Sequence, residues 1–238
     1  MILLACHKII FLRQSGIGKL HGMNVYFISG LGADSRVFKH IRLPEGFDVH
    51  FVEWISPYDK ETLSDYALRL TDQIDTRQPF ILAGLSLGGI MSVEIAKKFP
   101  PVATILISSV PLSAQLPFHF SVARTLRIAR VVPASFLKRA ALIKRSFTSE
   151  KEEDKNLLRQ LIREGNSRFI KWAVNAVLDW KNTTLPQPLW HIHGSRDEVF
   201  PSGRTNPSRM IPKGGHMILL THAEDINVWL GEVLEKSV

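Results

Sequence analysis

Three polar residues that lie far apart in the chain have the types needed to activate a nucleophile. Ser86 sits in Gly84-Leu-Ser-Leu-Gly88, Asp197 in His193-Gly-Ser-Arg-Asp197, and His216 follows Gly214-Gly215. A short apolar run, Phe80 to Leu85, precedes Ser86, and a run with helical spacing follows it. A serine at such a strand-to-helix turn is held in a strained backbone and thrust outward, where a substrate reaches it. Side chains two positions to either side would collide, which accounts for Gly84 and Gly88. The chemistry of the set is proton relay: a histidine takes the serine proton, and a carboxylate holds the imidazole in one tautomer and stabilises its charged form.

The reading also supplies a place for developing negative charge. The first amides of a helix have no internal partners, so the Leu87 N–H faces an oxyanion formed at Ser86. A second donor is expected from the loop Gly30-Leu31-Gly32 after the first strand, at the Leu31 N–H. Rivals exist at each position. Glu198 could replace Asp197, although Asp197 better fits the loop that Pro201 closes; His191, His193 and His222 compete with His216. His191 and His193 lie in a strand and read as interior histidines, and His222 is placed in an exposed part of the final helix. A different chemistry also fits the first loop, since Gly30-x-Gly32 with Glu53 at the end of the next strand resembles a dinucleotide fingerprint. Ser35 stands where the third glycine belongs, and that reading leaves Ser86 unexplained.

The elements that must position these residues alternate. Strands are expected over 24–29, 47–54, 80–85, 102–108 and 188–193, with a shorter strand over 209–211. Helices are expected after Asp34 or Ser35, over 62–74 with Thr62-x-x-Asp65 as a capping box, from the Ser86 turn to Phe99, and over 223–234. Alternating strands and helices imply a parallel sheet covered on both faces. Asp197 and His216 then follow successive strands and converge on the sheet edge that carries Ser86, with Gly214 and Gly215 giving the His216 loop freedom to approach. Residues 111–184 break the alternation with about four amphipathic helices, one of them capped by Ser149-x-x-Glu152, and read as an inserted lid. Its bulky residues Phe118, Phe120, Phe136, Trp172 and Trp180 fit an acyl or aromatic group, or core packing.

With 238 residues, 45% of them apolar, the chain has enough material for one substantial core. The net charge of +8 is local: no acid occurs between Glu94 and Glu150, while Arg124, Arg127, Arg130, Lys138, Arg139, Lys144 and Arg145 crowd the lid. Such a lid is either a solvated basic face or a surface that attracts an anionic substrate or membrane. No motif points to nucleic acid. The single cysteine, Cys6, excludes an intramolecular disulfide and suits a reducing compartment, so a cytoplasmic location is expected. Residues 1–22 begin with an apolar run that His7-Lys8 interrupts, too short to span a bilayer and unlike a signal or lipidation segment. They read as an N-terminal extension that is either an edge strand with a loop or dispensable or disordered sequence; on the dispensable reading, which is favoured, a chain starting at Met23 keeps its melting temperature, and a large drop marks a packed segment.

Ser29-Gly-Leu-Gly32, Gly84-Leu-Ser-Leu-Gly88, His193-Gly-Ser-Arg-Asp197 and Gly215-His216, in that order, resemble the α/β-hydrolase superfamily across about residues 23–236. The resemblance implies an α/β fold with a mostly parallel sheet of about six strands flanked by helices, a core formed by 23–110 and 185–238, and a helical lid over 111–184. It implies Ser86 as nucleophile, His216 and Asp197 as its partners, and Leu31 and Leu87 as backbone oxyanion donors. The pattern departs in having Ser29 where many members have histidine, in lacking the antiparallel hairpin before Met23, and in leaving only 18 residues between Asp197 and His216, so the helix expected there is shortened or absent. The expected activity is hydrolysis of a small-molecule carboxylic ester or thioester with no metal or organic cofactor. A catalytically silent ligand- or partner-binding fold is the alternative from a different class.

Overall fold

The computed structural model describes residues 22–125 and 151–237. Expectations resting on residues 1–21, on Phe136 and Ser149, and on the lid bases beyond Arg124 lie outside them.

Six strands form one parallel sheet: β1 (Met23–Ile28), β2 (Phe47–Val52), β3 (Phe80–Leu85), β4 (Ala103–Ile107), β5 (Leu189–Gly194) and β6 (Arg209–Ile211), in the order β2-β1-β3-β4-β5-β6. The central strands β3 and β4 are buried along their whole length, as expected of apolar runs covered on both faces. On one face Val25, Phe27, Ile81, Ala83, Ile105 and Ile192 pack against α7 (Ala223–Ser237) through Ile226, Trp229, Leu230, Val233 and Leu234. On the other, Tyr26, Ile28, Leu82 and Leu106 meet α1 (Leu63–Leu70) and α2 (Leu87–Ala96). Each fully buried aliphatic side chain here contributes about 1.5–3 kcal/mol of transfer free energy. The remaining helices are α3 (Phe118–Thr125), α4 (Glu152–Glu164), α5 (Ser167–Asp179) and the short α6 (Ile218–Thr221).

Several boundaries differ from expectation. The segment after Gly32 is a four-residue 3-10 turn, Ser35–Phe38, capped by the Asp34 side chain. The helix expected over 62–74 is regular only to Leu70, with a 3-10 turn over Thr71–Gln73, although Thr62 does cap it through the Asp65 N–H. The helix after Ser86 ends at Ala96, short of Phe99. The N-cap of α4 is Lys151. Between Asp197 and β6 only a 3-10 turn, Ser202–Arg204, is formed. His222 is half-buried between α6 and α7, where its ring nitrogen meets the Thr221 hydroxyl at 2.8 Å.

Candidate active site

The chain order of the strands reverses between β1 and β3. Ligands of open α/β sheets bind at such a point, beyond the carboxyl ends of the strands. Ser86 stands there. Its φ of 54° and ψ of −115° place it in a strained conformation, and the surroundings enforce it. The Ser86 N–H donates to the Ile107 carbonyl at 3.0 Å, so β4 holds the turn from one side. The Ser86 carbonyl accepts from the Ser109 hydroxyl at 2.6 Å and from the Gly89 N–H at 3.0 Å. A Cβ at Gly88 would overlap the Ile28 carbonyl oxygen, and one at Gly84 would overlap the Gly88 carbonyl. The two glycines are thus explained by close approach of backbone to backbone.

The other two polar residues arrive from the loops after β5 and β6. His216 Nε2 lies 2.9 Å from Ser86 Oγ, and His216 Nδ1 lies 2.8 Å from Asp197 Oδ2. All three are buried: Ser86 is 6% exposed, Asp197 4% and His216 3%. Asp197 Oδ1 accepts from the Val199 and Phe200 N–H groups at 2.8 and 3.0 Å. Burial is the largest influence on Asp197 and opposes its ionisation, yet the His216 imidazole and the Phe200 amide outweigh it, holding the carboxyl below the usual carboxylate range. The two loops are pinned together, since Arg196 N–H donates to the Gly214 carbonyl at 2.8 Å. Neither Gly214 nor Gly215 uses a left-handed backbone; the close approach is at Gly194, where a Cβ would overlap both of their carbonyls.

The turn containing Leu31 also reaches this point. A Cβ on Gly30 would sit 3.4 Å from the Ser86 Cβ, so the half-buried Leu31 follows a residue whose backbone lies near the serine. Leu87 is the first residue of α2, ahead of its first internal acceptor. The loop is stiffened by Ser29, whose hydroxyl donates to the Ala33 carbonyl at 2.9 Å, and by Trp54, whose Nε1–H donates to the same oxygen at 3.0 Å.

The rival residues are placed elsewhere. Glu198 is exposed, and Glu53 is exposed with its N–H bound by the Gln73 side chain at 2.9 Å. A dinucleotide site needs the N-terminus of a full helix after Gly32, and the 3-10 turn there does not provide one. His191 and His193 are interior, as expected, but His193 Nε2 lies 3.3 Å from Asp197 Oδ2, a contact the sequence reading missed. Ser109 and Phe200 were missed too; the Phe200 ring stands 5.8 Å from that of His216 in an edge-on arrangement. Trp172 and Trp180 are structural: Trp172 packs on Tyr66 at 4.3 Å between ring centres, and Trp180 Nε1–H donates to the buried Glu94 at 2.7 Å.

Helix α4 is tied to the turn after Leu31 by charge. Arg36 bridges Asp34 and Glu164 at 2.6 and 2.5 Å, and Lys39 meets Glu153 and the buried Asp154 at 2.8 Å each. Among the described residues no helix is long and apolar enough to cross a membrane, and no group of three or more His, Cys, Asp or Glu residues is arranged to hold a metal ion.

The sequence profile of the alpha/beta hydrolase family matches residues 25–227, and the chain belongs to that family. The protein is therefore a hydrolase by class, built on a six-stranded version of the fold. Solved structures agree on the fold. A thermophilic esterase from Thermogutta terrifontis is 20% identical with a TM-score of 0.69, covering 91% of this chain and 90% of its own. MenH from S. aureus is 15% identical with a TM-score of 0.69, covering 90% and 94%. A putative aryl esterase from Burkholderia cenocepacia is 17% identical with a TM-score of 0.67, covering 92% of each. No curated protein matches the chain.

Proposed function

We propose that the protein is a serine hydrolase that cleaves a small-molecule carboxylic ester or thioester through an acyl-enzyme. The observation that carries the reading is the continuous pair of hydrogen bonds, 2.9 Å from Ser86 Oγ to His216 and 2.8 Å from His216 to Asp197. As Ser86 Oγ attacks the carbonyl carbon, its proton passes to His216 Nε2 and the carbonyl oxygen becomes an oxyanion facing the Leu31 and Leu87 amides. Collapse expels the alcohol or thiol, which takes the proton from His216. A water molecule then attacks the acyl carbon, with His216 accepting its proton, and the acid and free Ser86 are released. Asp197 stays ionised throughout; its depressed pKa supports that role.

The same reading divides the chain into a core, 23–110 with 185–238, and a lid over 111–184. The burial of Ser86 supports a cover over the site, and α5 contributes to it through Phe169, Ala173 and Val177, packed on the α1 and α2 face of the sheet. The ester assignment is in keeping with the neighbours described as esterases, which share the fold. A panel of p-nitrophenyl esters of increasing chain length, run beside acyl-thioesters on the protein and on Ser86→Ala, tests the proposal. Turnover of at least one series that Ser86→Ala abolishes supports it, and equal turnover by the variant refutes it.

A further inference from the structure

The turn that follows β1 is held at one atom from two sides. Ala33 N–H donates to the Gly30 carbonyl at 3.0 Å and Gly32 takes a left-handed φ of 66°, so the chain folds back around Leu31. The buried Ala33 carbonyl then accepts twice, from the Ser29 hydroxyl at 2.9 Å and from the Trp54 Nε1–H at 3.0 Å. The two donors are fixed by different parts of the fold. Ser29 is buried at the end of β1, and a Cβ at Gly88 would overlap its carbonyl, so its backbone is pressed against α2, the helix that Ser86 caps. Trp54 lies beyond β2. The Tyr66 hydroxyl of α1 fixes its neighbour Ile55, accepting from the Ile55 N–H at 3.0 Å and donating to the Ile55 carbonyl at 2.8 Å. The Trp54 ring stands 4.9 Å from that of Phe169 on α5.

An amide that stabilises an oxyanion does so only if it is already in place when the charge forms, so the hydrogen bonds that hold its turn bear on the rate. A carbonyl with two independent donors keeps a partner when either is lost and has none when both are. We infer that Ser29 and Trp54 are a pair of positioning residues: their hydroxyl and indole N–H, meeting at the Ala33 carbonyl, set the turn after β1 and with it the Leu31 amide against Ser86. The inference rests on the oxyanion role proposed above for that amide. It asks for the indole N–H of Trp54 and not only for its ring, which is what separates the role from packing against Phe169 and Tyr66.

Ser29→Ala and Trp54→Phe each remove one donor and leave the Ala33 carbonyl with the other; the double variant leaves it with neither. With an ester that the protein turns over, each single variant should lose about two- to fivefold in kcat, and the double variant about fiftyfold or more, beyond the product of the singles, with KM within about twofold in all three. A trifluoromethyl ketone carrying the acyl chain of that ester reports on the oxyanion: Ser86 Oγ adds to its carbonyl carbon, the proton passes to His216, and the oxygen stays anionic. Its affinity should fall in step with kcat/KM, while that of the corresponding methyl ketone, which stays planar, holds within about twofold. A double variant no worse than the product of the singles, a loss confined to KM, or equal weakening of both ketones overturns the inference. If the double variant does not fold, the singles decide: weaker binding of the trifluoromethyl ketone alone, by about two- to fivefold, supports the inference, and equal changes for the two ketones overturn it. Ser86→Ala and the parent protein are measured alongside. Activity that survives Ser86→Ala, or a parent that binds the two ketones equally, removes the reading on which the inference rests, whereas a preference for the trifluoromethyl ketone that neither substitution weakens removes only the role of Ser29 and Trp54.

Discussion

The Ser109 hydroxyl donates to the backbone carbonyl of Ser86 at 2.6 Å, so a residue just beyond β4 clamps the strained turn that follows β3. Both residues are buried, and the same carbonyl also accepts from the Gly89 N–H of α2. Because the carbonyl keeps that partner, Ser109→Ala should cost only about 1 kcal/mol, the net worth of one hydrogen bond. A lowered urea midpoint with an unchanged m-value is the expected result. An unchanged midpoint would show that the clamp does not stabilise the turn.

A pH dependence follows from the paired histidines of β5. Burial is the main reason that His191 is pushed down from 6.5 to about 3. Below 6.5 the unfolded chain binds a proton that folded His191 refuses, so stability falls as pH drops from 6.5 towards 3, by up to about 1.4 kcal/mol per pH unit. Asp197 contributes mainly below this range: its folded value lies under the usual 3.8, and its stabilisation is lost only as pH falls from there through the folded value. Urea unfolding across about pH 6 to 4 should therefore show a shallower slope in His191→Gln than in the parent protein, by about one proton. Parallel slopes would contradict this.

The neck of the proposed lid has its own test. Asn182 is buried, and its Nδ2 donates to the carbonyls of Pro111 and Thr184 at 2.6 and 2.8 Å, joining the stretch where the chain leaves the sheet to the stretch where it returns. Asn182→Ala leaves the buried Pro111 carbonyl unpaired and hands the Thr184 carbonyl to solvent, and should cost about 1–2 kcal/mol. Asn182→Asp should cost more at neutral pH, because a carboxylate oxygen then faces two carbonyls, and the excess should shrink on acidification. Thermal melting at two pH values reads the difference; an Asp variant as stable as the parent would sink the account of the neck.

What the sequence made legible, and what it did not, follows from the range of the interactions. The strand-helix alternation was readable because β1, β3 and β4 are covered on both faces and carry near-continuous apolar runs. The Ser86 turn was readable because backbone crowding admits only glycine at 84 and 88. The meeting of Ser86, Asp197 and His216 was expected from strand order, since all three follow strands of one parallel sheet. Contacts that depend on register were not readable. Ser109 reaches Ser86 only because Leu85 pairs with Ile107, and Trp54 reaches the Ala33 carbonyl across the end of β2. The bridge from Arg36 to Glu164 spans 128 positions, and neither residue has a local pattern that marks it. His193 was recognised as interior, but its distance from Asp197 depends on how the chain turns at Gly194, which periodicity does not reveal.

The proposed chemistry stands on an activated hydroxyl at one position, and a fluorophosphonate reports on that directly. Intact-mass analysis after incubation should show a single adduct on the parent protein, mapped by peptide sequencing to Ser86, with none on a folded Ser86→Ala variant and markedly slower labelling of His216→Ala. An unlabelled parent protein, or an adduct that persists on Ser86→Ala, would contradict the account.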